Sequence, residues 1–127
     1  VAHSQSKDII KTFLKESPQA QPRVSVQEDG AISFALQCRH CPDAPCVTAC
    51  ISGAMYRDEE SGVVKHNTEK CVGCWSCLLV CPYGAVQPDE NGKKIALKCD
   101  FCLEEGNPVC VENCPNRALV LVEVENA

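Results

Sequence analysis

The sequence predicts a small α+β fold made of repeated units, each with a short β-hairpin, a short helix and a cysteine-bearing loop. Three observations carry this. Cysteine is 12 of 127 residues while aromatic residues are only 5 %, so apolar packing alone supplies a thin core. The cysteines fall into three runs that open with C-x2-C and close with C-x3-C. The segments between the runs alternate apolar and polar residues around turn signals such as Asn91-Gly92, as hairpins do.

The first run is Cys38-x2-Cys41-x4-Cys46-x3-Cys50, the second Cys71-x2-Cys74-x2-Cys77-x3-Cys81, and the third Cys99-x2-Cys102-x7-Cys110-x3-Cys114. After each closing cysteine the similarity continues. Ala54, Ala85 and Ala118 stand four residues beyond, followed by Met55, Val86 and Leu119. Shared positions outside the cysteines point to one repeated unit. Each C-x3-C pair suits a short helix, because residues four apart share a face. Pro82 and Pro115 would help end two of these helices, and Ile51 replaces proline in the first run.

The linking pieces read as strands. Ile32–Leu36 alternates before the first run. Met55–Arg57 and Val63–His66 flank Ser61-Gly62, and Ala85–Gln87 and Lys94–Lys98 flank Asn91-Gly92. Ala118–Val124 is a final strand candidate. The N-terminal part reads as a helix from about Lys7 to Glu16, capped by Ser6 and ended by Pro18 and Pro22. Ile9, Ile10, Phe13 and Leu14 share one face, which either packs on the chain itself or docks a partner. The domain reading is residues 1–30 as N-terminal helix and linker, and residues 31–127 as the domain that carries the three cysteine runs.

Soft thiolates suit zinc and iron–sulfur centres alike, so spacing decides. Structural zinc sites usually combine separated C-x2-C knuckles. Cys71, Cys74 and Cys77 instead place three thiols in one tight loop, with Cys81 and Pro82 just beyond. This C-x2-C-x2-C-x3-C-P run is the bacterial ferredoxin pattern, whose fourth cysteine ligates the other cluster of a pair. The swapping rule expects one [4Fe–4S] cluster on Cys38, Cys41, Cys46 and Cys81, and a second on Cys71, Cys74, Cys77 and Cys50. A third takes Cys99, Cys102 and Cys110. Cys114 either closes this third cluster or serves a further cluster completed upstream, giving three clusters here and four in an intact protein with an upstream motif. The chain starts at Val1, which favours a missing upstream run. A disulfide framework would need an oxidising compartment, and nothing in the sequence points to one.

These runs resemble the multi-cluster ferredoxin-like electron-transfer subunits of redox complexes, including those of carbon monoxide dehydrogenase, formate dehydrogenase and hydrogenase, tungsten aldehyde oxidoreductase and dimethyl-sulfoxide-reductase-type enzymes. Gln37-Cys38-Arg39-His40-Cys41-Pro42 with Ala44-Pro45-Cys46 is similar to that family's second motif, and Cys71 to Ala85 to its third. Lys98-Cys99-Asp100-Phe101-Cys102, through Glu104-Glu105-Gly106 to Cys114-Pro115, is similar to its fourth. Such proteins carry a first motif upstream, and Val1 to Lys7 looks like the segment that follows it. The resemblance implies a bacterial-ferredoxin-like fold. It implies a non-catalytic subunit relaying electrons between a catalytic redox subunit (molybdenum or tungsten enzyme, carbon monoxide dehydrogenase or hydrogenase) and an acceptor, with a ferredoxin as a further partner. A free soluble polyferredoxin and a zinc-binding interaction module are the alternatives.

Other chemistries find no support. No local pattern links a nucleophile to a base, and there is no phosphate-binding or dinucleotide glycine loop. Net charge is −5, with no basic stripe for nucleic acid. No apolar run is long enough to span a bilayer and no signal peptide is visible, so the expected location is cytoplasmic. Trp75, between two ligands, either shields a cluster or lies at the surface. His40, between Cys38 and Cys41, is expected to support the site or face solvent, since four thiols already fill the corners. Arg39, Lys98 and Arg117 either offset cluster charge or are solvated. Arg117 stands where Gly53 and Gly84 stand in the other runs.

Overall fold

The structure, a computed structural model, describes residues 3–123. Its elements are α1 (Ile9–Leu14), β1 (Ser25–Asp29), β2 (Ile32–Leu36), α2 (Pro45–Thr48), β3 (Met55–Arg57), β4 (Val64–His66), α3 (Ser76–Val80), β5 (Gln87–Pro88), β6 (Ala96–Leu97) and α4 (Val109–Glu112). The chain divides into a larger unit, Gln21–Asp100, and a smaller one formed by Val1–Ala20 with Phe101–Ala127. Short helices and small antiparallel sheets make this a small α+β protein.

The larger unit contains three antiparallel hairpins. β1 pairs with β2 from Ser25↔Leu36 to Asp29↔Ile32. β3 pairs with β4 from Met55↔His66 to Arg57↔Val64, and β5 with β6 through Gln87↔Leu97 and Pro88↔Ala96. The second and third hairpins lie where the turn residues place them, the third shorter than expected. β1 was not expected: Ser25–Asp29 falls in the stretch read as linker. Its signal is the two-residue Gly30-Ala31 turn after Asp29, with Gly30 in the left-handed region at φ 59°.

The core of this unit is Met55, Cys77, Val86 and Ala96, with Val47, Leu78, Cys46, Cys50 and Cys81 packed around it. Thiols thus occupy positions where other small proteins place leucine or phenylalanine. α2 and α3 pack against each other, and each carries the first cysteine of a C-x3-C pair, Cys46 and Cys77, with the closing cysteine just beyond its end. Pro45 begins α2, where its fixed φ suits the first turn and its missing N–H costs nothing. α3 ends at Val80, before Pro82, and α4 at Glu112, before Pro115.

In the smaller unit, α1 is shorter than the expected Lys7–Glu16 helix, and its cap is Asp8, not Ser6. The Asp8 carboxylate accepts from the N–H groups of Ile10 (2.9 Å) and Lys11 (3.0 Å). Lys7 at φ 53° is outside the helical region, so the helix starts two residues too late for Ser6 to cap it. The Ser6 hydroxyl instead meets Thr12 Oγ1 at 3.2 Å and donates to Glu16 Oε2 at 3.3 Å. Asp8→Ala should weaken this helix by about 1 kcal/mol, read as faster hydrogen exchange at the Ile10 and Lys11 amides.

Ile9, Ile10, Phe13 and Leu14 are all exposed, so the apolar face of α1 is not buried. Residues 118–123 carry no strand pairing: the expected final strand is absent there, and Val124 lies outside the described residues. So do Val1 and Ala2, the start of the segment compared with the post-motif stretch.

Candidate metal centre

The loop from Cys71 to Trp75 turns twice through the left-handed region, at Gly73 (φ 65°) and Trp75 (φ 64°), and α3 then begins. This path carries Cys71, Cys74 and Cys77 to one pocket, which Cys50 reaches from just beyond α2. Trp75 is half-buried and lines the same pocket, which favours shielding over a surface role. Burial, and then the neighbouring thiols of Cys71, Cys74 and Cys50, push Cys77 up to about 11. Four thiolates gathered this way repel one another unless a cationic core lies between them.

The first run is built differently. Burial pushes the Cys46 thiol up, with Cys38 and then Cys81 adding to it and the Lys98 ammonium opposing. Cys38, Cys46 and Cys81 are therefore electrostatic neighbours, although 43 residues separate the outer two. The Arg39 guanidinium lies 5.5 Å over the Tyr83 ring, tying the Cys38–Cys41 loop to the segment after Cys81. Arg57, in β3, donates to the carbonyls of Cys41 (2.8 Å) and Pro42 (3.2 Å). No sequence signal marks Arg57 for this clamp, because it depends on a hairpin meeting a loop.

Val64, the largest fully buried side chain, is where supporting groups converge. Its N–H donates to His40 Nδ1 at 3.2 Å, and its carbonyl accepts from the Lys98 ammonium. His40 is pushed down to about 4, first by burial and then by Lys98, so it is a neutral acceptor at neutral pH. It therefore supports the loop between Cys38 and Cys41, the supporting role expected of it. Lys98 is not solvated: it is 3 % exposed.

Closing cysteines accept backbone N–H groups from the turns that follow them. Met55 donates to Cys50 Sγ and Ala85 to Cys81 Sγ, each at 3.4 Å. Burial would raise the Cys50 thiol, but donors from Met55, Ser52 and Ala54 outweigh it and the net effect is downward. Such bonds favour the thiolate a metal needs. In the smaller unit, backbone donors led by Leu119 hold the Cys114 thiol down. Burial, then Cys102, raises Cys110, with Cys114 a weaker contributor. Cys99 belongs to the larger unit.

The residues fit an iron–sulfur cluster. Four thiols share one pocket with apolar Met55, Ala96 and Trp75, N–H donors point at sulfur, and none of the twelve cysteines is in a disulfide. A soft all-thiolate donor set in a low-dielectric pocket is the environment such clusters require.

Comparison with known proteins agrees. Residues 30–124 match the family model described as a 4Fe-4S dicluster domain. The chain is 40 % identical over 121 residues to Protein NrfC of Escherichia coli (strain K12), covering 91 % of this chain and 52 % of that protein. It is 34 % identical over 140 residues to an iron-sulfur protein of Rhodospirillum rubrum, covering 98 % of this chain and 72 % of that one. It is 41 % identical over 105 residues to YsaA of E. coli K12, named as a candidate electron transport protein, covering 81 % and 66 % respectively. The chain thus spans about half the length of NrfC. With twelve thiols in ferredoxin-type runs, this chain belongs to the 4Fe–4S dicluster domain family and is an iron–sulfur electron-transfer module that binds several [4Fe–4S] clusters.

Proposed function

We propose that this chain is the non-catalytic electron relay of a larger oxidoreductase, passing single electrons between a catalytic redox subunit and an acceptor. The observation that carries this is the meeting of Cys50 with Cys71, Cys74 and Cys77 in one pocket. When a closing cysteine of one run serves the cluster of the other, two clusters are interlocked and close enough to exchange electrons. The proposed ligand sets are Cys38, Cys41, Cys46 and Cys81 for one cluster, and Cys71, Cys74, Cys77 and Cys50 for the second. By spacing, the third run carries a further cluster. Iron counting in Cys114→Ser tells whether Cys114 closes that one.

When bound, a [4Fe–4S] cluster supplies one-electron redox chemistry. The chain's own residues do the rest. The loops fix the thiols, Met55 and Ala85 N–H groups bond sulfur, and Trp75 keeps water from the pocket. The left-handed turns support the reading of the runs as repeats. His40, Gly73 and Phe101, the residues before the second cysteines, have φ of 47°, 65° and 66°. Gly53, Gly84 and Arg117, three residues after the closing cysteines, have φ of 67°, 58° and 49°. Arg117 thus stands in a glycine-type turn, which explains its alignment with Gly53 and Gly84.

The catalytic partner is proposed to be of the molybdenum or tungsten, carbon monoxide dehydrogenase or hydrogenase kind, and the location cytoplasmic. Among the described residues no helix is long and apolar enough to cross a membrane. Purification of the native complex without oxygen tests the relay. A redox enzyme should co-purify in fixed proportion and reduce the clusters when given its substrate. A lone brown monomer would instead mark a free carrier. Cys81→Ser should remove the same cluster signal as Cys38→Ser, and Cys50→Ser the same signal as Cys71→Ser. Electron paramagnetic resonance reads this directly, and Cys81 acting together with Cys71 would overturn the ligand sets.

A further inference from the structure

Lys98 is the most deeply buried charged side chain among the described residues, at 3 % exposure. Its ammonium is held by two backbone carbonyls, that of Val64 and that of Cys99, the latter at 2.6 Å. No carboxylate lies within ion-pair distance of it among the described residues. Asp100, the nearest acid in sequence, is engaged by Arg23 at 3.2 Å. Burying an ammonium without a counter-charge costs several kcal/mol, and two carbonyl dipoles offset only part of that.

The missing counter-charge is sulfur. The Val64 carbonyl that holds the ammonium belongs to the residue whose N–H donates to His40 Nδ1, between Cys38 and Cys41, so Lys98 is joined through one residue to the loop of the first run. Burial disfavours its charged form, and the thiols of Cys38, Cys99 and Cys46 favour it, ahead of Asp100. The same ammonium opposes the rise of the Cys46 thiol. Cys38 and Cys46 are two ligands of the first proposed cluster and Cys99 is one of the third, and none of these leading sulfurs is a ligand of the second. From this placement we infer that Lys98 is a built-in positive charge that raises the reduction potential of the cluster held by Cys38, Cys41, Cys46 and Cys81, making it the electron sink of the interlocked pair. The inference rests on the ligand sets proposed above.

The physical step is simple. Reduction adds one electron, and so one negative charge, to a centre already anionic through its thiolates. A nearby ammonium in a low-dielectric interior stabilises the reduced form more than the oxidised one. The step moves one electron and no proton. The electron comes from the reductant, dithionite in a titration.

The test is a redox titration of the intact holoprotein followed by electron paramagnetic resonance. Signals are first assigned with Cys38→Ser and Cys71→Ser. Lys98→Gln keeps N–H donors for the two carbonyls but removes the charge. Its first-cluster reduction equilibrium should fall about tenfold, a shift of about 59 mV for a one-electron couple, with the second cluster little changed. Lys98→Arg should stay near the parent protein. An unmoved first-cluster potential in Lys98→Gln, or equal shifts of both clusters, overturns the inference. If Lys98→Gln fails to load the first cluster while Lys98→Arg loads it, charge is required there and the inference holds. If Lys98→Arg also loses it, Lys98 is a structural strut and the inference fails. Failure of the ligand sets is a separate result: Cys81→Ser would then remove the signal assigned by Cys71→Ser, whatever Lys98 does.

Discussion

Complete chelation of iron is expected to abolish the folded structure of the larger unit. The apolar residues buried there are few and small: Ala44, Ala54, Ala85 and Ala96 with Met55, Val63, Val64, Val86 and Cys77. Four are alanines, which bury little area each. The remaining filling is ligand sulfur, since Cys46, Cys50 and Cys81 pack directly on the central cluster of side chains. In small metalloproteins, ligation contributes apparent free energies on the order of 10 kcal/mol per structural metal site. That matches the entire net stability of a typical domain, about 5–15 kcal/mol. Without iron the same thiols become a liability, because Cys77 is buried against Cys71, Cys74 and Cys50 and any that ionise repel. The far-UV circular dichroism spectrum should therefore collapse toward that of an unfolded chain as absorbance near 400 nm is lost. A native-like spectrum after full iron removal would show that the hairpins stand without their clusters.

What could be read from the residues alone was whatever depends on neighbours in sequence. The C-x3-C pairs placed α2, α3 and α4, because helical spacing is a local property. Ser61-Gly62 and Asn91-Gly92 placed two hairpins, because a turn announces itself in two residues. The β1–β2 hairpin was half seen. Ile32–Leu36 alternates clearly, but Ser25–Asp29 is short and mostly polar, and it becomes a strand only by pairing. Ser6 looked like a cap until Lys7 turned left-handed and passed that role to Asp8. The left-handed His40, Phe101 and Arg117 could not be foreseen, since side-chain-bearing residues rarely adopt positive φ. Nor could the meeting of His40, Lys98 and Arg57 around the β3–β4 hairpin. That meeting joins residues up to 58 positions apart, and neither strand periodicity nor ligand spacing encodes it. The sequence therefore showed the thiols clearly, His40 and Lys98 only as candidates, and Arg57 not at all.

Gly73→Ala is the substitution expected to do most damage without touching a ligand. Gly73 lies between Cys71 and Cys74 at φ 65°, and a Cβ there would overlap the backbone carbonyl of Lys94. The left-handed conformation alone is a modest obstacle, about 1–2 kcal/mol for an L-residue. His40 and Phe101 adopt it with full side chains at the matching positions of the other two runs. The requirement for glycine thus comes from the close approach of Lys94, whose carbonyl is backbone and cannot rotate aside. To admit the methyl group, either the Cys71–Cys74 loop or the segment leading into β6 must move, and either shift displaces thiols from the shared pocket. Gly53→Ala is the matched control, since φ there is 67° and nothing lies within 4 Å of the added Cβ. Gly53→Ala should load iron fully and lose only about 1–2 kcal/mol of stability. Gly73→Ala should lose the cluster signal assigned by Cys71→Ser and the matching share of iron. Equal iron content and equal melting temperatures for the two variants would mean that the loop absorbs the methyl group, and that the contact with Lys94 does not set the geometry of the second site.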